Sequence, residues 1–571
     1  DHKIWKAAGK PRSGIINEKY RSSKLAYKIR IRECQQEHDS VYTNDLHEAL
    51  MAKRGMSFWK CWRSKFDTKN KRVIQVNGFI NDSDIVNNFE SFFRQACSTH
   101  TEKGSNKLRA QYTCMRDTYR GMPHTDENII DVELIDSIVF HMKRGKAAGL
   151  DDLTVEHLQF SHPAVFAILA KLFNLLMQCG CVPNDFSRSY TVPILKENKN
   201  SISKSLSMDD FRGITISPVI SKVFESCILD RYKQYFVTSN NQFGFKKGLS
   251  CSHAIYSVKC VVDHYSQLGS TVNLCLLDLK KAFDKMNHYG LYIKLMNRLV
   301  PNALLCVLEY WFDSCMTCVR WGNDVSNFIA LECGVRQGGV LSPYLFAIFI
   351  DDIIKEVKKS ELGCKLKHEN VGIFIYADDI ILLAPTVQSL QGMLQVCERE
   401  LAWLDMSLNT KKSLCMRFGP RYNAKCHDIC TANGDCLSWV NSCRYLGVYL
   451  CASSYFKCSF SYAKKSFYRS FNSIFGKIGR IASEEVILHL VNMKCVPALL
   501  YGLDACPINI SDKRSFDFVF TRVLMKLFKT SSIIIIDECY EMFNLKHMSQ
   551  LISERKCRFL GNFHKGNELC N

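Results

Sequence analysis

The chain has no long apolar run. No stretch of its 571 residues reaches the roughly 18 consecutive apolar residues of a spanning helix, and candidates such as Tyr344 to Ile350 are interrupted by Asp351-Asp352. A membrane partner is therefore not expected. No signal peptide is expected from the opening residues, and the first residue is Asp1 rather than Met, from which a piece of a longer reading frame is expected. The tight CxxC pairs of common zinc modules are also scarce. Cys315-Met316-Thr317-Cys318 stands alone, and the cluster of Cys426, His427, Cys430, Cys436 and Cys443 is spaced too widely. Its thiols are expected to serve as scattered small apolar side chains. With 28 cysteines spread along a large chain and no export signal, reduced thiols inside a cell are expected rather than a disulfide scaffold.

What is present is material for large cores and a positive surface. The chain is 47% hydrophobic, and its length allows about three or four domains. Lys and Arg outnumber Asp and Glu by 19, 75 against 56, which favours a polyanionic partner. Residues 1 to about 125 are basic, with aromatics set among cations, as in Phe58-Trp59-Lys60-Cys61-Trp62-Arg63. Such a segment is either a helical arm facing nucleic acid or an amphipathic helix with aromatics packed inward and cations solvated. The polar stretch Ser98 to Asn106 reads as a loop.

Downstream the periodicity is clearer. Ile135, Ile138, Val139 and Met142 recur at helical spacing, as do Val165, Ile168, Leu169, Leu172 and Leu176. Val192 to Leu195 reads as a strand, followed by a Lys-, Asn- and Ser-rich loop from Lys196 to Ser207. Val272 to Leu277 is expected as a strand, and Leu341 to Ile354 as a helix starting near Ser342-Pro343. The segment from about 455 onward is expected to be helical and basic. Strands and helices mix without repeats, so the fold class is α+β.

One tetrapeptide stands out. Tyr376-Ala377-Asp378-Asp379 separates two short apolar runs, Val371 to Ile375 and Ile380 to Ala384, and Asp278 lies 100 residues before Asp378. The runs read as two buried strands joined by a tight turn. Adjacent strand side chains point to opposite faces, so the two carboxylates can share a site only where the chain bends. An acidic pair in so apolar a setting calls for a cation, and magnesium takes hard oxygen ligands while leaving room for phosphate oxygens.

Around these residues lie further blocks in a fixed order. They are Lys143 to Asp151 (KRGKAAGLD), Phe211-Arg212-Gly213-Ile214, Gln242 to Gly248 (QFGFKKG), and Asp278 to Asp284 (DLKKAFD). Gly334 to Pro343 (GVRQGGVLSP), the YADD hairpin, Leu408 to Lys412 (LNTKK) and Tyr445-Leu446-Gly447 complete the series. From about residue 140 to 450 the chain resembles a reverse transcriptase of the non-LTR (LINE-type) retrotransposon class. It departs at Gly213, where the family usually has Pro, and at Gly339, where Ser or Cys is more usual and where the change should be tolerated. The Trp5 to Gly14 segment resembles the connector to an upstream endonuclease in such elements.

The resemblance implies a right-hand polymerase with a mixed helical N-terminal extension. It divides into a basic connector over 1–125, fingers over 126–250, a palm over 251–450, and a helical thumb with a C-terminal extension over 451–571. It implies an RNA-directed DNA polymerase with two metal ions, Mg2+ with Mn2+ as a substitute. Asp278 and Asp378 would bridge the ions, with Asp379 as a weaker or outer contributor. Phe283 falls at the steric gate that favours deoxynucleotides, Gln337 at a polar contact to the incoming nucleotide, and Arg212 and Lys196 at triphosphate contacts. Lys412 matches the Lys that protonates the leaving pyrophosphate, with Lys411 adjacent. The partners implied are an RNA template, a DNA primer or target DNA, and deoxynucleoside triphosphates. Priming at a target nick is expected in the complete element, placing synthesis in the nucleus and assembly in the cytoplasm. The competing reading is a catalytically silent RNA-binding protein that keeps the fold. An RNA-templated RNA polymerase is disfavoured by Phe283.

Overall fold

The computed structural model describes residues 1–11, 13–52, 55–66, 75–98, 102–123, 125–196, 206–479 and 482–566. Contacts divide the chain into two units, Val73–Leu446 with Leu450–Cys458, and Asp1–Arg72 with Gly447–Tyr449 and Ser459–Asn571. All the acidic residues singled out above lie in the first.

Two sheets organise that unit. In the first, strand β1 (Arg188–Leu195) pairs antiparallel with β2 (Phe211–Ile216), so that Ile194 faces Arg212. The second is built around β3 (Val272–Leu277), whose six residues are all buried. The first sheet is extended by β4 (Met316–Trp321), parallel to β1. The second sheet contains β5 (Ile373–Tyr376), β6 (Asp379–Ala384), β7 (Leu414–Phe418), β8 (Ile429–Cys430) and β9 (Cys436–Trp439). Its order is β8-β9-β7-β3-β6-β5. The central strand is antiparallel to both neighbours, with Leu277 opposite Ile380 and Leu276 opposite Leu414. A strand with neighbours on both edges and packing on both faces reads as a continuous apolar run. That is why Val-Asn-Leu-Cys-Leu-Leu folds here.

Helices Ser342–Lys359 and Val387–Trp403 pack against this sheet. Pro343 sits in the first turn of the former, where its missing N–H costs nothing. One core runs from Phe173 and Phe224 through Leu277, Phe346 and Ile380 to Leu437. A smaller one, built on Phe89, Phe211 and Trp321, joins helix Asp82–Ala96 to the first sheet. The expected α+β class is what is observed, and β3, the hairpin and the helix at Ser342 fall where the sequence put them.

The loop expected over Ser98–Asn106 is corrected. Helix Glu102–Thr118 begins inside it, and residues 99–101 lie outside the described residues. Tertiary contacts override the polar start: Leu108 is buried, and Tyr112 and Arg116 both bond Glu309, at 2.7 and 2.9 Å. Most of the loop expected from Lys196 to Ser207, residues 197–205, likewise lies outside the described residues.

The second unit is helical, with helices Ile15–Met51, Gly55–Phe66, Ser461–Ile478, Ile510–Phe528 and Met548–Gly566. In Gly55–Phe66 the ring of Phe58 is buried edge-on against His489 at 4.9 Å, and Lys494 sits 4.4 Å over Trp59. These contacts match the packed, amphipathic reading of that segment. Among the described residues no helix is long and apolar enough to cross a membrane.

Candidate active site

The ends of β3 and β6 decide where the acids sit. β3 stops at Leu277, so Asp278 is the first residue past the buried strand. Its N–H donates to Ser413 Oγ (3.1 Å) and its carbonyl accepts from the Asn409 N–H (2.8 Å). Asn409 Nδ2 donates to Asp278 Oδ2 (3.0 Å), and Lys412 Nζ lies 3.5 Å from the same oxygen. The LNTKK block therefore clamps Asp278 from backbone and side chain together.

Between β5 and β6, Tyr376 pairs with Asp379 and only Ala377 and Asp378 form the turn. Ala377 takes φ +56°, a left-handed conformation that costs an alanine about 1 kcal/mol. The QFGF block supports it. Phe243 N–H donates to the Ile375 carbonyl (2.8 Å), Ile375 N–H to the Asn241 carbonyl (2.9 Å), and Asn241 Nδ2 to the Ile373 carbonyl (2.7 Å). Gly244 comes so close that a Cβ there would lie 2.5 Å from the Ala377 nitrogen. The bend puts Asp378 in the turn and Asp379 at the first position of β6, beside the end of β3.

The acids feel one another. Burial above all, and then the Asp278 charge, push the Asp378 carboxyl up, against the pull of Arg212 and Lys412. Asp379 is pushed from 3.8 up to about 7, again by burial first, then by Asp378 and Asp278. Three oxygen-donor side chains gathered at one place, two of them with ionisation disfavoured by burial and neighbouring charge, fit a divalent cation, which would offset that cost. Among the described residues no three His, Cys, Asp or Glu side chains already form a closed metal cage. Magnesium does not require one, since it keeps several waters and binds through one or two carboxylates.

Cations approach from the first sheet. The pairing of Ile194 with Arg212 brings Arg212 near Lys196, whose N–H donates to the Asp210 carbonyl (2.9 Å) and whose Nζ bonds the Asp209 carbonyl. The Lys196 ammonium is lowered by burial first and then by Lys412, with Arg212 adding to it. Lys196, Arg212 and Lys412 thus share one electrostatic neighbourhood. Gly213 is explained as well: a Cβ there would meet the Phe93 ring at 2.8 Å.

The Phe283 ring is half-buried, stacked on Phe346 at 4.6 Å with Phe245 edge-on at 6.1 Å. Its carbonyl accepts from the Val335 N–H (2.9 Å), tying it to the GVRQGG loop. Gln337 Nε2 donates to Asp284 Oδ1 (2.7 Å), so its amide is engaged by a carboxyl that burial pushes up.

Sequence reasoning missed the residues beneath that loop. Glu225 and Arg336 are both buried and paired at 3.3 Å. Glu225 Oε2 also accepts from the N–H groups of Val340 and of Leu341 (2.9 Å), and Arg336 donates to the Phe186 carbonyl (2.9 Å). Gly339 is part of this packing, because a Cβ there would lie 2.6 Å from Ser342 Oγ and 3.2 Å from Glu225. Tyr445 is buried as well, and the Asp379 charge helps push its hydroxyl up, after burial. An acid inside the otherwise apolar stretch Val223-Phe224-Glu225 was the available signal for Glu225.

Residues 194–450 match the family model described as reverse transcriptase (RNA-dependent DNA polymerase). The RNA-directed DNA polymerase from mobile element jockey of Drosophila funebris is 25% identical over 402 residues, 66% of this chain and 41% of that protein. The Pol polyprotein from type-2 retrotransposable element R2DM of Drosophila melanogaster is 23% identical over 51% of this chain and 28% of its own length. A probable RNA-directed DNA polymerase from transposon BS of the same fly is 23% identical over 79% of this chain and 48% of its own. The chain spans less than half the length of these curated relatives.

Proposed function

We propose, from the match of residues 194–450 to the reverse transcriptase model and the likeness to retrotransposon polymerases, that this chain carries a reverse transcriptase domain of the non-LTR kind and copies RNA into DNA by two-metal-ion nucleotidyl transfer. The observation that carries the proposal is the set of three carboxylates, Asp278, Asp378 and Asp379, at adjoining strand ends, with Asp378 and Asp379 pushed up by burial and then by the neighbouring acids. Divalent cations, Mg2+ first and Mn2+ as a substitute, would offset the charge that builds on the entering and leaving oxygens. Asp278 and Asp378 would hold the cations, and Asp379 would contribute as a weaker or outer ligand. Arg212 and Lys196 neutralise the triphosphate, and their shared position with Lys412 gathers positive charge where the pyrophosphate leaves. Lys412, resting 3.5 Å from Asp278 without substrate, donates the proton to the leaving group.

Phe283, held by Phe346, forms the wall against which a 2′-hydroxyl clashes, which sets the preference for deoxynucleotides. Gln337 reaches the nucleotide on release from Asp284. The positive surplus grips template and primer phosphates, so affinity for RNA falls steeply with salt. In the complete element the primer is the end of a nicked target DNA, which requires this chain in the nucleus. The test is deoxynucleotide incorporation on an RNA template with a DNA primer and magnesium, in the chain and in Asp378→Ala. Activity in the chain and none in the variant is expected. Equal incorporation by both would overturn the assignment, and RNA binding without incorporation by either would leave a silent fold.

A further inference from the structure

The thiols Cys430 and Cys436, which neither the fold nor the proposed chemistry uses, face each other across the outermost pair of the second sheet. β8 and β9 run antiparallel with Cys430 opposite Cys436, and their sulfurs are 2.7 Å apart. The hydrogen bonds fix the kind of pair they form. Thr431 N–H donates to the Asp435 carbonyl (2.9 Å), so the next opposed pair outward, 430 with 436, is a non-hydrogen-bonded one. Its backbone groups must then point away from β9, and they do. Gln391 Nε2 donates to the Cys430 carbonyl (2.8 Å), and the Cys430 N–H donates to Gln391 Oε1 (3.0 Å).

In non-hydrogen-bonded pairs opposed Cα atoms approach to about 4.5 Å, inside the span a disulfide bridges. Helix Val387–Trp403, through Gln391, fixes the register so the two side chains cannot slip apart. Cys436 is exposed and Cys430 half-buried, so a small reagent reaches them from solvent. Cys275 and Cys415 also touch, but both are buried at the centre of the sheet.

We propose that Cys430 and Cys436 are a reversible dithiol–disulfide modification site, oxidised by low-molecular-weight disulfides such as glutathione disulfide. The exposed Cys436 thiolate attacks one sulfur of the reagent, a mixed disulfide forms, and one small thiol leaves. The Cys430 sulfur then attacks the Cys436 sulfur, closing the bond between the strands and expelling the second small thiol. Two electrons pass from the protein to the reagent, and the two thiol protons end on the two small thiols. The Cys430 thiol is pushed up to about 11 chiefly by its hydrogen bond with Cys436, which leaves the first attack to Cys436; once Cys436 is in the mixed disulfide that hydrogen bond is gone, and Cys430 gives up its proton as it attacks. The bond would close a short loop on the sheet edge and hold β8 to β9.

The test is mass spectrometry of the whole chain after exposure to glutathione disulfide at mildly alkaline pH, followed by alkylation and digestion. A peptide spanning both cysteines is expected to lose two hydrogens, resist alkylation, and regain both thiols on reduction. Amide exchange over Thr431–Leu437 should slow on the order of tens-fold in the oxidised chain. Cys436→Ser is expected to trap glutathione on Cys430, and Cys430→Ser to trap it on Cys436. Stable glutathione on either cysteine of the unsubstituted chain, or full alkylation of both after oxidation, would overturn the proposal. That readout needs neither template nor polymerase activity.

Discussion

Replacing Asp379 by Asn should stabilise the metal-free protein at neutral and alkaline pH. In the folded chain this carboxyl holds its proton up to about 7, against an ordinary value of 3.8. Its folded pKa is thus raised above the unfolded one. Below about 3.8 both states are protonated and the group adds no pH dependence. Between 3.8 and about 7 the unfolded state ionises first and stability falls as pH rises; above 7 the penalty is complete. At ~1.4 kcal/mol per pH unit the full gap corresponds to roughly 4 kcal/mol, and partial solvent screening at the strand end brings the expectation to about 2 kcal/mol. Urea denaturation of the chain and of Asp379→Asn, in a chelator at pH 5 and pH 8, measures it. The variant should unfold at higher urea at pH 8, with the gap shrinking toward pH 5. Magnesium should then stabilise the parent at pH 8, by up to ~2.7 kcal/mol at a hundredfold excess over its dissociation constant, and the variant less. A variant that is no more stable than its parent at pH 8 would mean that burial and the neighbouring acids do not penalise the Asp379 charge as argued.

Phe283→Val removes the ring that stacks on Phe346, and ribonucleotide incorporation relative to deoxynucleotide should rise roughly tenfold or more. Unchanged sugar discrimination in competition assays would defeat the gate assignment. Glu225→Ala leaves Arg336 buried without its carboxylate and strips an acceptor from two backbone N–H groups, so a loss of roughly 3–5 kcal/mol in denaturation is expected. A loss below about 1 kcal/mol would show that the pair does not hold the GVRQGG loop.

The acidic residues that the fold brings together were legible in the sequence; most of what holds them was not. Asp278, Asp378 and Asp379 interrupt apolar runs that could only be buried strands, and the runs fold as β3, β5 and β6. Helix Glu102–Thr118 was missed because its polar first turn carries no helical period of its own, while its later residues find partners near Glu309. The supports lie further off still: Glu225 meets Arg336 across 111 residues and Asp278 meets Asn409 across 131. No local pattern joins residues so far apart, because their pairing is set by which strands become neighbours.

The same logic governs Cys430 and Cys436. Read as a metal motif, their five intervening residues are too many. Read as a hairpin, that spacing sets two side chains opposite each other across a tight turn, and which reading applies depends on Thr431 and Asp435 closing that turn. A spacing therefore acquires chemical meaning only with the secondary structure that spans it. The separation of 100 positions between Asp278 and Asp378 is no different: it matters because β3 and β6 are adjacent, and antiparallel pairing brings the end of one to the beginning of the other.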